Sequence, residues 1–247
     1  DELKRVIPEI RYASGLEYAA AQGTLSTFEA ETKINKMSGF FAGADFFSMF
    51  SFPLLAGKQE SALNTPEGIA ISRKMAELFF GSPEKAVGQT IRYENKEELQ
   101  VTAVFENIPS NSSIQFDFLR SWKAFVKENA WVNNWGNTSP STFVQLRAGA
   151  DPLKVKARIK DFVYNYRQKE KGFVVELVLQ SYPEKHLHSS FKNGKIDGGR
   201  IEYVRLFTIV GAFILLIACI NFMNLATARS AKRSKEVGVR KVIGASR

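Results

Sequence analysis

The sequence predicts an α+β domain followed by one membrane-spanning helix. Strand-like and helix-like segments alternate along residues 1–205, and a long uncharged apolar run lies near the C-terminus. The chain has 247 residues, of which 45% are hydrophobic, so it is long and apolar enough to bury a core. This composition excludes a disordered protein.

The apolar run extends from Leu206 to Ala226 and reads LFTIVGAFILLIACINFMNLA, without a charged side chain. As a helix, these residues would span about 31 Å, which matches the hydrocarbon core of a bilayer. A buried soluble helix of this length would normally carry a polar stripe, and this run has none. We therefore predict a transmembrane helix at residues 206–227.

The net charge of +9 is concentrated beyond this helix, where residues 228–247 carry about +6 of it. By the positive-inside rule, this basic segment is cytoplasmic and residues 1–205 lie outside the membrane. Because topology explains the basic cluster, we predict no nucleic-acid partner. The single Cys219 excludes an internal disulfide framework.

Two amides lie within the apolar run, at Asn221 and Asn224. Their spacing of three residues places them on one face of the helix, near its cytoplasmic end. Either they face another helix in the membrane, or they lie close enough to the headgroups to be hydrated. Both alternatives stay open, and in either case two amides on one membrane helix suggest a second helix as partner.

The first half of the outside domain reads as short strands and capped helices. Six phenylalanines between residues 40 and 52 are interpreted as core packing. In chain order we predict a helix end and a strand over residues 3–12, strands within 24–37, a short helix between Asp45 and Pro53, a strand at 69–71, a helix capped by Ser72 and ended by Gly81, and strands at 90–93 and 99–105.

The second half begins with an Asn- and Ser-rich stretch, residues 107–141, that we expect to be irregular except for a helix near Phe116 to Asn129. A clearer pattern follows. We predict a strand at residues 142–147, an amphipathic helix that begins at Asp151-Pro152, and a strand at residues 173–180. Together these three elements would form a βαβ unit.

No residue pattern indicates catalysis or a bound cofactor. The segment GSPEKAVGQT at residues 81–90 lacks the spacing and the lysine of a phosphate loop. His186 and His188 would share one face of a strand, but only Glu184 could join them as a metal ligand. We therefore predict a protein without a catalytic, metal or cofactor site.

The C-terminal run NFMNLATARSAKRSKEVGVRKVIGASR, residues 221–247, resembles the segment after the second membrane helix of FtsX-like, MacB-type ABC-transporter permeases. The family pattern is R-x-K-E-x-G-x-R-K-x-x-G-A, and the resemblance implies that these residues face the ATPase. The matching positions are Arg233, Lys235, Glu236, Gly238, Arg240, Lys241, Gly244 and Ala245.

The outside domain is similar to the family's periplasmic core domain, most closely to Bacteroidetes-type permeases, through residues 46–63, 71–91 and 101–119. The resemblance implies a porter-like α/β subdomain with a smaller mixed subdomain inserted at about residues 57–140, and a returning porter half at residues 142–182. The family's remaining membrane helices are missing, so the chain is interpreted as an internal fragment. Residues 1–205 would be periplasmic and the tail cytoplasmic, at the bacterial inner membrane.

The resemblance also implies partners and an activity. The permease would work as a dimer with separate ABC ATPase chains, and with a periplasmic adaptor or lipoprotein. It would transmit ATP-driven change across the membrane for efflux, lipoprotein extraction or control of cell-wall hydrolases. The alternative is a membrane-anchored extracytoplasmic sensor or ligand-binding module. A membrane-anchored hydrolase would need a catalytic cluster, which the sequence lacks.

Overall fold

The computed structural model describes residues 2–20, 25–137, 140–169, 172, 174–192 and 195–244. The chain divides into two compact units, residues 1–179 and residues 180–247. The first unit contains a large sheet with helices, and the second contains a short hairpin and a long helix. The predicted α+β class with one apolar C-terminal helix is confirmed.

The first unit begins with helix α1 and strand β1, separated at Pro8 as the sequence predicts. Its helices are α1 (Glu2–Val6), α2 (Phe46–Met49), α3 (Arg73–Phe80), α4 (Pro83–Ala86), α5 (Trp122–Glu128) and α6 (Pro152–Ile159), with 3-10 helices at Ala130–Asn133 and Phe162–Asn165. Its strands are β1 (Ile10–Tyr18), β2 (Ser26–Ala30), β3 (Lys33–Met37), β4 (Gly39–Ala42), β5 (Leu54–Gly57), β6 (Gly68–Ser72), β7 (Thr90–Tyr93), β8 (Glu97–Phe105), β9 (Phe118–Ser121) and β10 (Ser141–Leu146).

These strands form one mixed sheet, in the order β10-β1-β4-β9-β6-β8-β7-β2-β3. The pairs β4–β9 and β6–β8 are parallel, and β5 pairs antiparallel with the second half of β8. Strands from inside and outside the predicted insertion at about residues 57–140 therefore share one sheet. The subdomain boundaries stay a prediction.

Helices α3, α5 and α6 cover the same face of this sheet. Phe41 of β4 packs against α5. On the neighbouring strand β9, Arg120 lies directly opposite Phe41, and on β6, Ile69 lies directly opposite Arg120. Ile69 belongs to the hydrophobic cluster under α3. Directly paired residues share a face. At the β1 end, Ala13 packs with Val155 of α6 on this face.

The opposite face carries an aromatic core around α2. Phe46 stacks on Phe52 with ring centroids 5.8 Å apart, and both rings meet Phe116 edge-on. Of the six phenylalanines predicted as core, Phe40, Phe46 and Phe47 are buried in this cluster and Phe50 and Phe52 are partly buried against it. Phe41 is buried on the other face, against α5. The core interpretation of these rings is confirmed.

Local signals correctly predicted the ends of α3. The Ser72 hydroxyl accepts a hydrogen bond from the Met75 amide at 3.3 Å, and Gly81 ends the helix with a φ of 86°. Asp45 precedes α2 as predicted but does not cap it. Its carboxylate instead accepts a hydrogen bond from the Ala13 amide at 3.1 Å and pairs with Lys4.

Two predicted elements are wrong. The helix predicted from Phe116 to Asn129 is a strand, β9, followed by the shorter helix α5. The strand predicted at residues 173–180 is absent from its described part, residues 174–180, so α6 does not complete a βαβ unit. Leu177 and Leu179 nevertheless pack against the cluster under α6, which explains their apolar spacing.

The second unit contains a 3-10 helix at Pro183–His186, strands β11 (Phe191–Lys192) and β12 (Lys195–Ile196), and helix α7 (Arg200–Val242). The two strands form an antiparallel hairpin. Helix α7 is continuous across its 43 residues and would be about 64 Å long. No residue of α7, all of which the structure describes, is buried.

Candidate functional site

Helix α7 contains the predicted membrane span in its middle. Among the described residues, it is the one helix long and apolar enough to cross a membrane. Arg205 and Arg229 are the charged residues nearest to the apolar run on either side. The uncharged residues between them would span about 34 Å, slightly more than the hydrocarbon core of a bilayer.

Asn221 and Asn224 lie within this span, and both side chains are exposed on the helix surface. Other polar side chains of the span bond back to the helix: the Thr208 hydroxyl donates to the Val204 carbonyl at 2.8 Å. An amide cannot satisfy all its donors and acceptors in this way, so a membrane would favour a second helix beside the two asparagines. The proposed packing role stays a prediction.

The predicted coupling residues continue the same helix. Arg233, Lys235, Glu236, Gly238, Arg240 and Lys241 lie within α7, and Gly244 follows its end with a φ of 75°. Ala245 lies outside the described residues. Residues on an α-helix advance by about 100° each, so one side of α7 carries a charged stripe. The stripe consists of Arg229, Lys232, Arg233, Glu236 and Arg240.

The outside unit contains a cleft of about 330 Å³ that sequence reasoning missed. Trp122, Trp135 and Phe162 line it, together with aliphatic side chains of the 3-10 helices and residues 175–177. The Trp135 ring stacks on Tyr166 with centroids 4.2 Å apart. The cleft joins segments far apart in the chain, and its main sequence signal is the tryptophan-rich stretch that we expected to be irregular.

Glu2 lies at the rim of this cleft. Hydrogen bonds from Arg5 and from the Tyr166 hydroxyl hold the pKa of its carboxyl at about 2. The same contact raises the pKa of Tyr166. The carboxylate therefore stays ionised, and the Arg5 guanidinium balances its charge at this side of the rim.

A second feature that the sequence did not indicate is the buried Arg120, whose exposed fraction is 1%. Its Nη2 donates to Glu97 Oε2 at 2.7 Å and lies 2.8 Å from Glu128 Oε1. The guanidinium also lies 4.6 Å from the Tyr93 ring centroid and 5.1 Å from that of Phe41. Arg120 thus ties α5 and β8 to β9.

Two opposing effects act on the pKa of the Glu128 carboxyl. Burial raises the pKa of its carboxyl, and the nearby Arg120 charge opposes this rise without cancelling it. Glu97, the other carboxylate on Arg120, adds to the rise. The arrangement is that of a structural ion pair, because the buried guanidinium contacts two carboxylates and two aromatic rings from neighbouring elements.

The two histidines do not form a metal site. His186 ends the 3-10 helix, and its Nδ1 lies 3.5 Å from Nη1 of Arg200. His188 follows in a segment without regular structure. A nearby guanidinium disfavours a metal cation at this position.

Comparison with known proteins identifies the class. Residues 1–162 match the model of the MacB-like periplasmic core domain. The chain belongs to this family and is part of a MacB/FtsX-like ABC-transporter permease, anchored in the membrane with an extracytoplasmic domain. The family is one of transporter permeases, which are typically non-catalytic. No curated protein matches the chain.

One solved structure agrees with this assignment, and two others show a weaker similarity. A crystallised domain of a Porphyromonas gingivalis protein described as a permease has 25% identity and a TM-score of 0.56, with 68% of this chain and 75% of that chain covered. The periplasmic region of MacB from Actinobacillus actinomycetemcomitans and the extracellular domain of the noncanonic ABC-type transporter YknZ, from Gram-positive bacteria, each have 12% identity and a TM-score of 0.46. These two cover 66% of this chain and 71% and 79% of their own.

Proposed function

We propose that this permease transmits an ATP-driven conformational change from the cytoplasm to its extracytoplasmic domain. The observation that carries the proposal is the continuity of α7, which runs without a break from Arg200 through the apolar span to Val242. An unbroken helix resists bending, because each turn is held by backbone hydrogen bonds. A displacement at one end is therefore passed to the other.

The cytoplasmic end of α7 would receive this displacement from a separate ABC ATPase subunit. Its charged stripe carries four basic residues against Glu236 alone, and Lys235 and Lys241 lie on its flanks. Such a surface fits an acidic groove on a partner. Arg240 and Lys241 lie in the last turn, where they also complement the helix dipole.

A second permease copy would pack beside the span through Asn221 and Asn224. Amide side chains that face each other across a helix interface satisfy groups that lipid cannot. The extracytoplasmic domain would then act on a substrate or on a periplasmic adaptor or lipoprotein. Efflux, lipoprotein extraction and control of cell-wall hydrolases all fit this mode of action.

The first test is a pull-down of the full-length protein from detergent. We expect an ABC ATPase to co-purify with the wild type, and Arg240→Glu with Lys241→Glu to remove it. A matched control reverses two exposed lysines of strand β3, Lys33 and Lys36, and should retain the ATPase. Absence of any ATPase from the wild-type sample would contradict the proposal and favour an anchored sensor.

The second test separates transmission from ATPase binding. Ala228→Pro would interrupt α7 at the cytoplasmic end of the span, because proline removes a helix hydrogen bond and kinks the chain. Spin labels at Lys36 of the two copies report the ATP-dependent change in their separation. We expect this change to be lost in Ala228→Pro and kept in Ala228→Leu, with the ATPase bound in both. An unaltered change in Ala228→Pro would refute transmission through α7.

A further inference from the structure

The hairpin of β11 and β12 has one apolar and one basic face. Phe191 pairs with Ile196, and Lys192 pairs with Lys195. Paired residues share a face and successive residues alternate, so the two apolar side chains lie on one face and the two lysines on the other. All four are exposed, Phe191 by 51% and Ile196 by 40%.

Backbone hydrogen bonds hold this hairpin at the start of α7. The Asp197 amide donates to the Ser190 carbonyl at 2.8 Å and extends the hairpin ladder, and the Ile201 amide at the start of α7 donates to the Leu187 carbonyl at 3.1 Å. At Gly199, with a φ of 133°, a Cβ would lie 2.7 Å from the Leu187 carbonyl oxygen. Such a close approach requires glycine, so the hairpin is attached tightly to the helix end.

This attachment sets the height of the hairpin above the membrane. The start of α7 at Arg200 precedes the first apolar residue of the span, Leu206, by about 9 Å of helix. The headgroup layer on each side of a bilayer is about 5–8 Å thick. The hairpin therefore joins α7 at the outer edge of the headgroup layer, and the exposed Tyr203 lies within this layer, where interfacial aromatics are enriched.

The charge of this segment is not explained by topology. Residues 180–205 carry five lysines and arginines against three acidic residues, although the segment precedes the span on the extracytoplasmic side. The positive-inside rule predicts such an excess on the cytoplasmic side instead. Among the described residues, neither Lys192 nor Lys195 belongs to an ion pair. Their charges are available to an anionic partner.

We propose that the hairpin binds anionic phospholipid headgroups at the outer surface of the membrane that α7 crosses. Phe191 and Ile196 rest on the interface, and Lys192 and Lys195 extend around the ribbon edge to lipid phosphates. The bilayer is the partner that the geometry favours, because α7 itself brings it to the hairpin. This inference rests on α7 as a membrane helix and is independent of the ATPase.

Hydrogen–deuterium exchange of the full-length protein in nanodiscs tests this contact. We compare amides 187–192 and 195–201 in discs of phosphatidylcholine alone and in discs containing phosphatidylglycerol. A lysine near an anionic surface contributes about fivefold to binding, so both lysines contribute about 25-fold. We expect markedly slower exchange with phosphatidylglycerol, and loss of this protection in Lys192→Gln with Lys195→Gln.

The control variant replaces Lys33 and Lys36, which are exposed on strand β3, with glutamine and should keep the protection. High salt should weaken the protection in the wild type, because it screens the lysine charges. Equal exchange of the wild type in both lipids would overturn the proposal. Protection that is lipid-dependent but survives the Lys192 and Lys195 substitutions would overturn it as well, since the lysines would then not be the ligands.

Discussion

Replacement of Arg120 by methionine should destabilise the extracytoplasmic unit substantially. Arg120→Met keeps most of the side-chain volume but removes the charge that Glu97 and Glu128 share. It also removes the cation beside the Tyr93 and Phe41 rings. The perturbation therefore tests whether one buried guanidinium holds α5 and β8 on the sheet.

The expected loss of stability follows from the burial of Arg120, Glu97 and Glu128. Loss of one partner from a buried ion pair costs about 3–5 kcal/mol. The Glu97 and Glu128 side chains are 46% and 34% exposed, so water can solvate them once Arg120 is gone, which favours the lower limit. A loss of about 3 kcal/mol corresponds to a fall in Tm of about 6–12 °C for a unit of this size.

The assay is thermal unfolding of residues 1–179, followed by circular dichroism and repeated in urea. Arg92→Met is the matched control, because Arg92 also faces two glutamates on the same sheet, at 3.8 and 3.9 Å, but is 50% exposed. Exposed pairs contribute less than about 1 kcal/mol, so its Tm should fall by no more than about 4 °C. Equal Tm values for the two variants, or a more stable Arg120→Met, would refute the reasoning.

Three further predictions concern the same unit and use the same unfolding measurement. Burial raises the pKa of Glu128, so the free energy of unfolding should fall as pH rises from the ordinary pKa of this carboxyl to its raised pKa. Glu128→Gln should flatten this fall in stability, and an unchanged pH profile of stability would contradict the raised pKa. Ser72→Ala should lose about 1 kcal/mol with the α3 cap, and an unchanged Tm would contradict the capping role. Gly39→Ala should cost about 2 kcal/mol, because its Cβ would lie 2.5 Å from the Phe118 carbonyl oxygen; a neutral result would mean that β4 and β9 can separate.

Elements with local signals were predictable from the sequence. Ser72 and Gly81 mark the ends of α3 because capping involves atoms only a few residues apart. Pro8 separates α1 from β1 for a similar local reason. The membrane span is local too, since it depends on the length of one uncharged run.

The errors occurred where burial rather than local preference selects the structure. The residues of β9, Phe118–Ser121, are all buried between β4 and β6, so they show no alternation that distinguishes a strand from a helix. Residues 174–180 do alternate, yet Leu177 and Leu179 meet the core without a strand ladder. The alternation shows that one side of this segment is buried, but it does not show whether the backbone forms the hydrogen bonds of a strand.

The sequence by itself determined that the chain is an α+β domain on a membrane helix, and its motifs indicated the permease family. Only the tertiary structure decided the order of the sheet, the pairing of Arg120 with Glu97 and Glu128, and the cleft beside Trp135. The reason is distance along the chain. Apolar runs and caps depend on neighbouring residues, whereas a buried ion pair or a cleft exists only once the fold brings separate segments together.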